Sequence, residues 1–148
     1  GSGGALSGAM GEAYNKNEGW FGYYWGPTAI LGKYDMTKLD EGVDHNAETW
    51  ISEINDLEVA APGKNRYPAS TVETYVGSDM LDNYVVMNYL EKRSFPNTLL
   101  SQMLAWKDGE QAEASEAAEY FLLNNEDVWK NWTSSDARLA IKEELGMM

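Results

Sequence analysis

Six consecutive residues, Trp20-Phe21-Gly22-Tyr23-Tyr24-Trp25, carry five aromatic side chains between Gly19 and the pair Gly26-Pro27. An aromatic run of that length, bounded by glycine and closed by proline, reads as a short buried strand. Such a strand needs a folded body around it. At 148 residues the chain has room for one ordinary domain, and 43% hydrophobic with 24% charged residues is the composition of a folded protein. In a strand, Tyr23 and Trp25 fall on one face and Tyr24 on the other, so one face can enter a core while the opposite one meets a ligand. A tryptophan at a strand end followed at once by Gly-Pro is suited to project its indole into a cleft. Composition alone favours ordinary core for the run, and packing is a sufficient account of Trp20, Trp50, Trp106, Trp129 and Trp132.

The remaining elements follow from periodicity and punctuation. Residues 5–17 read as a helix on Ala5, Leu6, Ala9, Met10, Ala13 and Tyr14, weakened by Gly8 and Gly11. Thr28 to Lys33 suits one helical turn and Met36 to Leu39 a short strand. From Asp40 to Asn65 the chain is polar and acidic, a long connection with an apolar patch only at Thr49 to Ile54. Thr71-Val72-Glu73-Thr74-Tyr75-Val76 alternates β-branched and aromatic residues and reads as a second strand closed by Gly77. Beyond it the pattern is helical. Ser78 or Asp79 caps a helix to about Arg93 with Leu81, Tyr84, Val85 and Tyr89 inward, and Asn97 caps another to Trp106. A third, from about Ala112 to Trp132, carries the stripe Ala114, Ala118, Phe121, Leu122, Val128, Trp129, Trp132. Ser134 or Ser135 caps the last, which ends near Gly146.

Eleven basic against twenty-four acidic residues give a net charge of −13, which repels phosphates and anionic lipid heads and excludes nucleic acid as a partner. With no cysteine and one histidine, His45, the chain offers no nucleophilic Ser–His or Cys–His pair and no His- or Cys-rich metal site, so neither metal nor cofactor is expected. His45 reads as an exposed loop residue. The acids of Glu110 to Glu119 fall opposite the Ala and Phe stripe and read as a solvated helix face. The glycines before the first helix lack a Gly-Lys-Ser/Thr sequence and read as a capping turn rather than a phosphate cradle. No apolar run approaches 18 residues.

The segment from Glu18 through Trp25-Gly26-Pro27-Thr28 to Asp35 resembles the substrate-binding proteins of glycine betaine and quaternary-amine ABC importers. The likeness continues in Gly63-Lys64-Asn65-Arg66-Tyr67-Pro68-Ala69-Ser70, in Ser94-Phe95-Pro96-Asn97, in Leu104-Ala105-Trp106 and in Asn124-Asn125-Glu126-Asp127-Val128-Trp129. It extends to Gly1-Ser2-Gly3-Gly4-Ala5-Leu6 and so covers nearly the whole chain. The resemblance implies an α/β fold of the type II periplasmic-binding class, two lobes joined by crossovers with the ligand clamped between them. It implies the helix-rich C-terminal half of such a protein, residues 1–70 completing the second ligand-binding lobe and residues 71–148 forming a crossover strand and helices that return to the first.

The implied activity is solute capture without chemistry: a trimethylammonium head held in a box of aromatic faces and passed to an ABC permease, in the periplasm or elsewhere outside the cytoplasm, with or without a membrane anchor. A quaternary ammonium has no N–H to donate, so π faces meet its charge, each contributing about 0.5–2 kcal/mol. Carried over residue by residue, Trp25 is a box member and Tyr24 its neighbour. Some relatives have an acidic residue where this chain has Gly26, so the likeness gives the ligand class and leaves open glycine betaine, choline and related amines. It further implies association of this half with itself or with a missing N-terminal half. An aromatic-platform carbohydrate-binding module is the alternative, opposed by the long helical C-terminal portion.

Overall fold

The protein is described here by a computed structural model covering residues 2–148. Its elements are α1 (Gly3–Asn15), α2 (Ala29–Lys33), α3 (Ala47–Thr49) continued by a π-helical turn (Trp50–Ile54), a 3-10 turn (Ser78–Met80), α4 (Tyr84–Lys92), α5 (Asn97–Glu110), α6 (Ala114–Asn124), α7 (Glu126–Trp129) and α8 (Ser135–Glu144). Contacts group them into two compact units, Gly1–Met36 with Val76–Met148 and Thr37–Tyr75. This grouping reflects contacts within the chain, whereas the boundary expected at residue 70 concerns lobes of a larger fold.

Among the described residues there is no β-strand, which corrects the expected strands at residues 20–25, 36–39 and 71–76. A strand exists only where its backbone N–H and C=O groups meet a ladder partner, and none of these segments enters one. They remain extended or irregular despite their β propensity.

In the larger unit the first helix starts where Ser2 accepts the Ala5 N–H on its Oγ at 3.2 Å. It buries Met10 and Ala13, and Tyr14 lies 4.4 Å, centroid to centroid, from buried Tyr34. Ala5, Ala9 and Tyr14, expected inward, are exposed. The main core holds Phe121, Trp129 and Trp132, with Tyr89, Leu99, Met103, Leu122, Val128 and Ile141 against it. Phe95 adds an edge to Trp132 at 4.8 Å.

That core requires a break the periodicity concealed. In one continuous helix Phe121 and Trp132 would be separated by about 16 Å of rise, yet their rings stack at 5.7 Å. The chain turns at Asn125. Asn124 and Asn125 donate side-chain N–H groups to the Tyr120 and Phe121 carbonyls at 2.8 and 3.2 Å, and the Trp129 indole N–H donates to the Leu122 carbonyl at 2.8 Å. Ala114 and Ala118 are therefore exposed rather than in the stripe.

The fourth helix starts later than expected, capped by Asn83 rather than Ser78 or Asp79. Leu81, Tyr84 and Val85 face solvent, and of the four residues expected inward only Tyr89 packs on the core. The fifth is preceded by Pro96 as its cap and runs four residues past Trp106 to Glu110, closing on left-handed Gln111. Trp106 stacks on Tyr120 of α6 at 3.9 Å. Ser134 caps α8 as expected, accepting the Ala137 N–H at 3.2 Å.

The smaller unit, expected as an open connection, is closed by polar contacts. Asn46 caps α3 and pairs reciprocally with Asn65: its N–H donates to Asn65 Oδ1 at 2.9 Å, and Asn65 Nδ2 donates to its carbonyl at 2.8 Å. Gly63 N–H donates to the Glu53 carboxylate at 2.7 Å. Arg66 grips both carboxylate oxygens of Asp40 at 3.1 and 3.0 Å and also faces Glu41 and Asp44.

Candidate functional site

Trp25 ends the aromatic run in the larger unit. Its indole stacks on Tyr24 with centroids 4.6 Å apart and planes inclined by 19°, while Tyr23 lies 6.4 Å away at 33°. Strand alternation would have put Tyr24 opposite Trp25; without a ladder to impose the pleat, the two neighbouring rings turn onto one another. Trp25 is 47% exposed and Tyr24 half-buried. The Trp20 indole folds over Gly22 and Phe21 is open to solvent.

Two supports of the Trp25 ring were not legible from spacing. Its six-membered ring lies against Gly3 at the start of α1, where a Cβ would come 2.9 Å from Cη2. Only a residue without a side chain gives the indole that seat. The second is the turn after it, where the Thr28 N–H donates to Ser101 Oγ at 3.2 Å. Both partners are remote in sequence, and only the three-dimensional arrangement pairs them.

The other acidic and polar groups find ordinary roles. His45 is exposed, its Nδ1 2.9 Å from the Arg66 carbonyl, and its ring lies 5.7 Å from Trp50. The Gly42 N–H, and after it the Arg66 guanidinium, hold the Asp40 carboxyl below its ordinary value, while Asp40 in turn raises Arg66. Asp127 is likewise lowered, by its hydrogen bond and charge pairing with Lys130. Glu113 and Glu116 form a capping box for α6, the Glu113 N–H donating to Glu116 at 2.7 Å.

Two concavities open on the larger unit. One of about 540 Å³ is walled by Leu123 to Val128 and Lys130; the other, of about 220 Å³, lies between α5 and α6 beside Trp106 and Tyr120. Neither reaches Trp25. The first is lined by charges already paired with one another, Lys130 with Asp127 and Glu126 with Lys142 at 2.6 Å. In the second the aromatic faces are spent on their mutual stack. Among the described residues no group of three or more His, Asp or Glu side chains is placed to hold a metal ion.

No curated protein sequence matches the chain. A family model does, over residues 1–124: the substrate-binding domain of the ABC-type glycine betaine transport system. That span contains the stacked Tyr24–Trp25 pair, its Gly3 seat, Ser101 and helices α1 to α6. The family consists of binding proteins that serve importers and not of enzymes, and it works outside the cytoplasm; no helix among the described residues is long and apolar enough to cross a membrane. With five-sixths of its length matched, this chain belongs to the family of substrate-binding domains of glycine betaine ABC importers.

Proposed function

We propose that the chain captures glycine betaine or a related quaternary amine, with Trp25 as one π face of an aromatic box and Tyr24 stacked behind it, for delivery to an ABC permease. The observation that carries this is the half-exposed Trp25 indole fixed against Gly3 and Tyr24. A cation over that face gains the ring's quadrupole attraction, and a trimethylammonium head leaves no N–H donor unpaired there.

The same reading takes the chain as the C-terminal half of a two-lobe α/β protein, 1–70 in the second lobe and 71–148 returning to the first. Segments 20–25 and 71–76 support it, since they have strand composition and lie in no ladder. A sugar-binding platform would need an open sheet face to carry its aromatics, and no sheet is present among the described residues.

The test is a tryptophan-fluorescence titration with glycine betaine against a neutral sugar, carried well above about 1 mM, where a site worth roughly 4 kcal/mol begins to fill. A saturating change with the amine alone, absent in Trp25→Ala, supports the reading. Equal responses to both solutes, or an unchanged response in Trp25→Ala, defeat it.

A further inference from the structure

We propose that Ser101, on α5, is a positioning residue for Trp25, acting through the turn at Gly26-Pro27-Thr28; the functional part of this rests on Trp25 being a ligand face. Proline carries no N–H, so the Thr28 amide is the first backbone donor after Gly26 that can anchor this turn. It donates to Ser101 Oγ at 3.2 Å, across 73 residues of sequence. Ser101 is 5% exposed, the one buried polar residue in the described chain, so its hydroxyl occupies a place packing alone would give to an apolar side chain. The Thr28 hydroxyl is itself buried without a hydrogen-bond partner and its carbonyl accepts locally from the Gly32 N–H at 3.3 Å, which leaves the N–H donated to Ser101 as that residue's polar tie to α5.

The same face of α5 grips the segment at two further points. Asn97, one helical turn before Ser101, flanks the turn: a Cβ on Gly26 would lie 3.9 Å from Asn97 Nδ2. The backbone of Gly32, in α2, presses on the Ser101 carbonyl so closely that no side chain fits between them. Residues 26–32 are thus held along one stripe of α5, and Trp25 projects from the edge of the held segment with Gly3 under its ring. Loosening the Thr28–Ser101 bond frees the end of the segment nearest the indole, which then loses its fixed inclination to Tyr24.

The test uses the full chain labelled with 5-fluorotryptophan, the Trp25 19F resonance being assigned by its loss in Trp25→Phe. Ser101→Ala is expected to move or broaden that resonance while those of Trp129 and Trp132 stay in place. Ser134→Ala, which removes a hydroxyl–amide bond at α8 instead, serves as the control: it lowers the melting temperature and leaves Trp25 untouched. Ser101→Ala should also weaken the response of Trp25 to glycine betaine by roughly threefold to tenfold, the scale of one lost hydrogen bond. Where Ser101→Ala does not fold, Asn97→Ala, on the exposed end of the same stripe, is expected to shift the same resonance to a lesser degree. A Trp25 resonance unchanged in the folded variants overturns the proposal. A resonance that shifts in a chain whose Trp25 does not respond to glycine betaine would keep the positioning role and overturn the ligand reading.

Discussion

Trp25 and Trp129 place the same indole in opposite circumstances, and the difference fixes what each substitution does. Trp129 is 1% exposed, packed on Phe121 and Trp132, with its N–H on the Leu122 carbonyl. Its replacement by alanine leaves a large cavity and an unmatched carbonyl, and is expected to cost about 3–5 kcal/mol of stability, read as a lowered denaturant midpoint. Trp25→Ala removes a half-exposed ring and should leave that midpoint nearly unchanged, while in the two-lobe protein proposed above it should weaken quaternary-amine binding by about 1–2 kcal/mol, the worth of one cation–π face. Comparable destabilisation by both substitutions would place Trp25 in the core and remove it from the site. The run itself was legible in the sequence because five aromatics between glycines have few uses. What turned its rings was not: alternation assumes a ladder, and without one Tyr24 stacked on Trp25 instead of pointing away. The supports of the ring, Gly3 and Ser101, left no trace in local pattern because neither contact is local.

Helices with a capping side chain and one packed face were legible at the level of elements; their phases and interruptions were not. Ser134 begins α8 as its sequence suggests, since a cap acts through residues three positions away. The stripe from Ala114 to Trp132 contains two helices because the core needs Phe121 and Trp132 in contact, a demand that helical periodicity cannot express. Gly32 shows the same limit for α2, a five-residue helix held by its bed on α5. A methyl there meets the Ser101 backbone rather than a movable side chain, so Gly32→Ala is expected to destabilise by about 1–3 kcal/mol, the range for forced overpacking, in a thermal melt that Gly8→Ala, in open space on α1, does not lower. The smaller unit depends on charge instead. Asp40 is held below its ordinary 3.8, first by the Gly42 amide and then by Arg66. A carboxyl with a lowered folded value contributes stability above the ordinary value and loses it as pH falls through the folded one. The unit should therefore loosen below pH 3.8, as Asp40 gives up its charge-assisted hydrogen bonds to Arg66. The Asn46 amide resonance reports this: it should move toward its unfolded position on acidification, and lie there already at neutral pH in Arg66→Gln. If it holds its folded position in both, Arg66 is not what closes the loop.

A chain of 16.5 kDa that folds into one compact monomer exposes about 7,600 Å², and two separate bodies of these sizes about 8,900 Å²; this one exposes 11,212 Å². The excess is large beside the roughly 800 Å² per partner that a standard interface covers, and it is partly apolar: Phe21 and Val72 are 86% and 95% exposed. Exposed apolar side chains of this kind invite association. Opposing it is the net charge of −13, which keeps copies apart at low ionic strength and is screened over about 10 Å at 0.1 M salt. Light scattering is therefore expected to give an apparent mass that rises with concentration and with added salt; a steady 16.5 kDa across both would mean that the exposed segments stay unpaired. Affinity follows from the number of aromatic faces open to a ligand. One aromatic face supplies about 0.5–2 kcal/mol, whereas a dissociation constant of 1 mM requires about 4.1 kcal/mol. Tyr24 adds little, because its face is turned to the Trp25 ring rather than to solvent. Calorimetry on the 148-residue chain should thus find no saturable glycine betaine binding tighter than about 1 mM. A micromolar constant would mean that these residues close a complete box by themselves, with faces beyond Trp25 that the present arrangement does not bring to it.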